Sequence, residues 1–191
     1  MAASAPVASL GVVKTRMAAG MLGGLLVLAL TGCAAPPTPQ PTPTPVFASE
    51  DEAFAAAEAT YRAYVDALNQ VDLSDPETFE AVYEWTTGEA NAEARKAFSA
   101  WHADGWVVSG ASKATTVEPR LMGGRKVKTV ELAVCVDVSQ VTLVDSNGVS
   151  MVSESRPDVQ SVLVTLTPTA TNETGMSIVG FAGRDGEPTC Q

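Results

Sequence analysis

One change of hydrophobic period, near Trp106, constrains the fold of this chain more than any other feature of its sequence. Before it, apolar side chains recur every third or fourth residue, the spacing of helices with one buried face. After it they alternate, the spacing of strands whose two faces meet different surroundings. Elements segregated in this way predict an α+β domain, with about three N-terminal helices packed on a curved antiparallel sheet of about four strands. Of the 191 residues, 46% are apolar, enough to fill the core of one domain.

Ser49 followed by Glu52 is a capping box that opens the first helix; Phe54, Ala57, Tyr61, Tyr64, Val65 and Leu68 make its apolar face, and it ends near Asn69. Asp75 and Pro76, a cap followed by proline at the first helical position, open the second, with Phe79, Val82 and Tyr83 on its face. Ala90, Ala94, Ala97, Phe98 and Trp101 form a third stripe, which Gly105 closes with a left-handed cap. Val130, Leu132, Val134, Val136 and Val138 then alternate with Glu131, Ala133, Cys135, Asp137 and Ser139, one set for the core and one facing away from it. Val141 and Leu143 fall in the opposite phase, which predicts a bulge at 139–141. Val162, Val164 and Leu166 alternate again, and residues 176–181 supply a last strand. Gly123 with Gly124, and Asn147 with Gly148, read as hairpin turns, the second of type I′.

Residues 1–48 stand outside this pattern. Lys14 and Arg16 precede fourteen uncharged residues, 17–30, and then Thr31, Gly32 and Cys33, the order of a secretory signal peptide over 1–32. Fourteen helical residues reach about 21 Å, short of the roughly 30 Å hydrocarbon core, so a spanning helix is not expected. Leu30, Thr31, Gly32 and Cys33 resemble the lipobox of bacterial lipoproteins, an aliphatic residue three before the cysteine and then two small ones. The resemblance implies that Cys33 becomes the mature N-terminus and carries a diacylglycerol on its thiol, holding the protein to the outer side of the cell membrane. Ordinary secretion, with Cys33 incidental, is the alternative. Residues 33–48 then act as a Pro/Thr-rich spacer: six prolines in the ten positions 36–45 favour an extended polyproline II stalk. The folded domain is expected over 49–191.

Three cysteines are an odd number for an exported chain. With Cys33 assigned to lipid, Cys135 and Cys190 remain and can pair in an oxidising exterior; two free thiols are the alternative. A bond would draw the C-terminal tail across the outer face of the sheet, where Cys135 points. There is no Cys-x-x-Cys and neither thiol has a basic neighbour to activate it, so a structural role is expected.

Net charge is −10, which gives no generic affinity for nucleic acid phosphates. With Cys33 assigned to lipid, one His and two Cys are too few soft ligands for a four-ligand structural zinc site unless carboxylates join in, and neither a metal nor a cofactor is expected. Serine-nucleophile, phosphate-loop and paired-histidine motifs are missing from the sequence, and no catalytic residue is assigned. The charge is lopsided: residues 50–93 hold 12 acids and one base, while 94–191 hold 10 acids and 9 bases. The nearly neutral sheet is therefore the expected contact surface, and Arg120, Arg125, Lys126 and Lys128 around the first hairpin are expected to protect an edge from unwanted strand pairing.

The order of elements, with Cys135, Val136 and Asp137 as a Cys-x-Asp motif in a central strand and Cys190 near the end, resembles the nuclear transport factor 2-like superfamily. It is most similar to the secreted lipoproteins that carry this fold in high-GC Gram-positive, actinobacterial-type organisms; a cystatin-like fold is a near neighbour. The resemblance implies a pocket between helices and sheet. Enzymes of the superfamily, such as ketosteroid isomerases, dehydratases and polyketide cyclases, place His, Asp and Tyr there, so His102 with Asp137 or Tyr64 is the catalytic alternative. Otherwise His102 is a residue near a helix C-terminus, where an imidazolium suits the dipole. Tyr61, Tyr64, Tyr83, Trp85, Trp101 and Trp106 all fall in or at the end of the helical half, and either pack as core or line a cavity with His102. The expectation is a membrane-anchored extracytoplasmic lipoprotein whose domain binds a small ligand or an envelope protein without catalysis. The alternatives are a small isomerase, dehydratase or cyclase, and a scaffold subunit of an envelope or secretion complex that dimerises through the sheet.

Overall fold

The structure, a computed structural model, describes residues 47–123 and 129–191. Leu30, Thr31, Gly32, Cys33, the spacer up to residue 46, Gly124 of the first hairpin turn, and Arg125, Lys126 and Lys128 lie outside the described residues. Helix α1 (Glu50–Leu68) starts at the capping box: Ser49 Oγ accepts from the Glu52 amide at 3.1 Å, and the Glu52 carboxylate accepts from the Ala48 amide at 2.7 Å. Ala53, Ala57, Tyr61 and Val65, spaced by four, form its fully buried stripe. Phe54 and Tyr64 flank that stripe half-buried, so the apolar face follows the periodicity closely.

Asp75 accepts from the Glu77 amide at 3.1 Å and caps a short 3-10 turn, Pro76–Phe79, which runs into the one-turn helix α2 (Glu80–Glu84). Helix α3 (Gly88–Ala103) ends as expected at Gly105, φ +69°. The Trp106 amide donates to the Trp101 carbonyl at 2.9 Å and the Gly105 amide to that of His102 at 3.1 Å, the paired bonds of a Schellman motif. Among the described residues no helix is long and apolar enough to cross a membrane.

The main sheet is antiparallel throughout, in the order β2 (Lys113–Gly123), β3 (Thr129–Asp137), β5 (Val159–Pro168) and β6 (Met176–Gly183). Register shifts at Ala114/Thr116, Pro119/Leu121 and Thr165/Leu166 curve it, and Pro119 is tolerated because β2 is an edge strand. The inward residues Val130, Leu132, Val134, Val136, Val164, Leu166, Met176 and Ile178 meet the α1 stripe in one apolar cluster. A second cluster, Ala67, Leu73, Phe79, Val82, Tyr83 and Phe98, holds the three helices to each other.

Two local readings need correction. No bulge carries β3 onward past residue 139. The chain turns there, the Val141 amide donating to the Val138 carbonyl at 2.9 Å, and leaves the sheet. Strand β4 (Thr142–Val144) pairs instead with β1 (Val107–Ser109) in a separate two-stranded sheet, and Val108 and Leu143 pack on the helical cluster. The phase reversal seen in sequence thus marks a change of sheet. At the second hairpin, the Gly148 amide donates to the Asp145 carbonyl at 3.0 Å, so the turn spans residues 145–148 with Gly148 at φ +80° as its last residue. A type I′ turn would have put Asn147 and Gly148 at its centre. The Asp145 carboxylate moves the turn by accepting from the amides of Asn147 and Val149, both at 2.8 Å.

Gly110, φ +85°, brings the β1–β2 turn onto the segment that joins β3 to β4: a Cβ there would sit 1.8 Å from the Gln140 carbonyl oxygen. Gly110→Ala is expected to cost about 2 kcal/mol through left-handed strain and the clash, seen as a lower urea midpoint. Gly183→Ala, which meets open space, should change the midpoint far less. Equal effects of the two would show that this close approach does not occur.

Candidate functional site

Where α1 ends, the helical cluster and the small sheet do not close on each other, and a cleft of about 220 Å³ remains. Leu68, Val71 and Leu73 contribute one wall from the end of α1 and the loop after it, Phe98 and Trp101 a second from α3. Val108 of β1, Leu143 of β4, and Val141 and Val152 beside them form the third. The walls are tied to one another by residues of the cleft itself. Asn69 donates to the Ser112 carbonyl at 2.9 Å and accepts from the Ser112 amide at 2.8 Å, joining α1 to the start of β2. Arg156 Nη2 donates to the carbonyls of Val138 and Val141, both at 2.9 Å, holding the turn that separates the two sheets.

The aromatic residues singled out in sequence are not brought together around this cleft. Tyr61 and Tyr64 belong to the α1–sheet cluster, with Tyr64 against Phe181 at a ring separation of 5.3 Å. Burial pushes the Tyr64 hydroxyl up to about 12 and, with Tyr64 beside it, raises Tyr61 as well. Both therefore stay neutral packing groups across ordinary pH. Tyr83 and Trp85 lie in the helical cluster, where the Arg95 guanidinium covers the Tyr83 ring at 3.9 Å. Trp101 alone of the set lines the cleft, stacked on Trp106 with centroids 5.9 Å apart and planes 12° from parallel.

His102 is exposed, and its Nδ1 donates to the Leu73 carbonyl at 2.7 Å, tying α3 to the loop that precedes the 3-10 turn. It lines a shallow surface hollow with Phe79, Glu80 and Tyr83, away from Tyr64 and Asp137. Asp137 accepts from the Ser139 amide at 2.9 Å, which lowers its pKa and makes it a cap for the turn out of β3. Among the described residues no three His, Cys, Asp or Glu side chains gather as a metal site.

Cys135 and Cys190 are bonded, with Cα atoms 5.4 Å apart. Cys135 is only 3% exposed although it faces away from α1, because the tail covers it. Arg184 holds that tail by donating to the Gly186 carbonyl at 2.8 Å and the Pro188 carbonyl at 2.7 Å. The sequence pointed to the staple and, through the resemblance, to a pocket between helices and sheet, but not to the lining of this cleft beyond Trp101, nor to Arg156. Arg156 sits in a polar loop stretch, and nothing in its neighbours signals that its side chain returns to residues 138 and 141.

No family model matches this sequence, and no curated protein matches it. Among solved structures, the chain is similar to the intermembrane space region of the chloroplast protein ARC6, at 12% identity over 68% of this chain and 94% of that one, with a TM-score of 0.47. It is also similar to an IcmL-like type IV secretion system protein from Legionella pneumophila, at 13% identity over 75% and 97%, TM-score 0.41. Agrobacterium tumefaciens VirB8 follows at 11% identity over 74% and 97%, TM-score 0.35. Likenesses this distant carry no inference about activity.

Proposed function

We propose that this protein is a lipid-anchored, extracytoplasmic binding domain with a nuclear transport factor 2-like fold, which takes up a small ligand through the cleft at the end of α1. The observation that carries the reading is the cleft itself: walls from three parts of the fold, nearly all aliphatic or aromatic, with few polar groups among them. The position of His102 supports binding over proton-transfer chemistry at the cleft, since it stands outside it.

The Cys135–Cys190 bond fits an oxidising exterior, and the lipobox at Leu30, Thr31, Gly32 and Cys33 accounts for the remaining cysteine. On this reading the spacer meets the domain at the start of α1, and the cleft lies at the other end of that 19-residue helix, about 28 Å along it. Mass spectrometry of the protein extracted from membranes is expected to show residue 33 as N-terminus with a diacylglycerol on sulfur. An unmodified Cys33, or cleavage elsewhere, would sink the anchor.

One observation favours a second reading, an envelope protein as partner. Among the described residues, Val107, Val149 and Met151, all more than 40% exposed, lie on β1 or in the hairpin beside β4, next to the cleft. An exposed apolar edge of this kind marks contact surfaces.

A further inference from the structure

Resting on that reading of the cleft, we propose that its ligands are amphipathic monocarboxylates, a short aliphatic body held by the apolar walls and a carboxylate received by Arg156. Among the residues that line the cleft, Arg156 is the single charged one, a cation in a chain of net charge −10. Its side chain is half-buried and already oriented: Nη2 spends its hydrogens on the carbonyls of Val138 and Val141. A guanidinium has five N–H donors, and the other three, on Nε and Nη1, have no acceptor among the described residues.

No carboxylate among the described residues pairs with it either. Glu154 and Asp158, two residues away on each side, form no ion pair with Arg156, and the ion pairs among the described residues belong to Arg62 and Arg95. A held, half-buried guanidinium with free N–H donors on Nε and Nη1 draws a carboxylate by charge and by single charge-assisted hydrogen bonds, and gives little to a neutral or cationic head. Of the other polar side chains at the cleft, that of Asn69 is occupied with the Ser112 backbone, and the Ser112 hydroxyl is neutral and supplies no charge selection. A volume of about 220 Å³ limits the enclosed part of the ligand to a short chain.

Three eight-carbon probes with the same body separate the claims: octanoate, 1-octanol and octylammonium, titrated into the protein at constant ionic strength and pH 7. Trp101 lines the cleft against Trp106 and provides an emission signal, with calorimetry as the independent measure. Octanoate is expected to bind at least tenfold more tightly than octanol, and octylammonium more weakly than either. In Arg156→Gln octanoate and octanol should bind equally tightly, whatever the common affinity, and Arg156→Lys should keep part of the preference.

If octanol binds as tightly as octanoate, anion selection is overturned while the apolar cleft stands. If none of the three binds, the cleft is not a ligand site and both readings fall. A carboxylate preference that survives in Arg156→Gln would assign the head to another cation and overturn the proposal. Should Arg156→Gln fail to fold, because the bonds to Val138 and Val141 are lost, the three probes on the unmodified protein still decide the matter.

Discussion

Reducing the Cys135–Cys190 bond is expected to lower the stability of the domain by about 4 kcal/mol, the chain-entropy cost of a loop with 55 positions between its ends. In a domain of this size that corresponds to a fall in Tm on the order of 10 °C. The loop holds β4, β5, β6 and the tail, so the cross-link restrains most of the sheet-forming half in the unfolded chain. In the folded state the loss is local. Cys135 is uncovered on the outer face of β3, while the Arg184 bonds to Gly186 and Pro188 still shape the tail. Urea titrations with and without reductant measure the difference, and Cys190→Ser should match the reduced protein. A midpoint indifferent to reductant would mean that the bond does not form.

Leu166→Ala is expected to destabilise by about 3 to 4 kcal/mol, the range for a large side chain removed from a site that cannot collapse. Leu166 is fully buried in β5, paired with Val130 on one side and Ile178 on the other, within the cluster that α1 covers. Backbone hydrogen bonds hold both neighbouring strands at their spacing, which keeps the cavity open. Phe181→Ala is the comparison: that ring is 41% exposed, rests on Tyr64, and should cost about 1 kcal/mol by the same urea measurement. Similar losses at the two positions would contradict this placement of the core.

Much of the fold was legible because its signals are local. A cap is made between neighbours, as Ser49 with Glu52 and Gly105 with His102 demonstrate. A buried helix stripe or strand face repeats at the period of its own backbone, which is why α1, α3 and β3 appear where periodicity puts them. Alternation reports two faces but not which sheet owns them. Val141 and Leu143 therefore read as a bulge in β3, although Leu143 belongs to a strand paired with β1.

The candidate site was much less legible. Tyr61, Tyr64, Tyr83 and Trp85 look in sequence like a ligand-binding set with Trp101, yet packing divides them between two clusters. An aromatic side chain carries the same pattern whether it lines a cavity or fills a core. Arg156 gave no signal, because its role comes from carbonyl groups 15 and 18 residues earlier.

The sequence by itself determined the α+β class, the helix caps, the inward face of β3 and the candidate pairing of Cys135 with Cys190, since each follows from nearest neighbours, backbone period or a count. Tertiary structure alone decided that the chain leaves the main sheet after Val138, that Gly110 meets Gln140, and that Asn69 binds Ser112. These approaches between distant segments enclose the cleft and set one cation at its wall. Side-chain volume and close packing across the whole domain settle them, and no window along the chain contains that information.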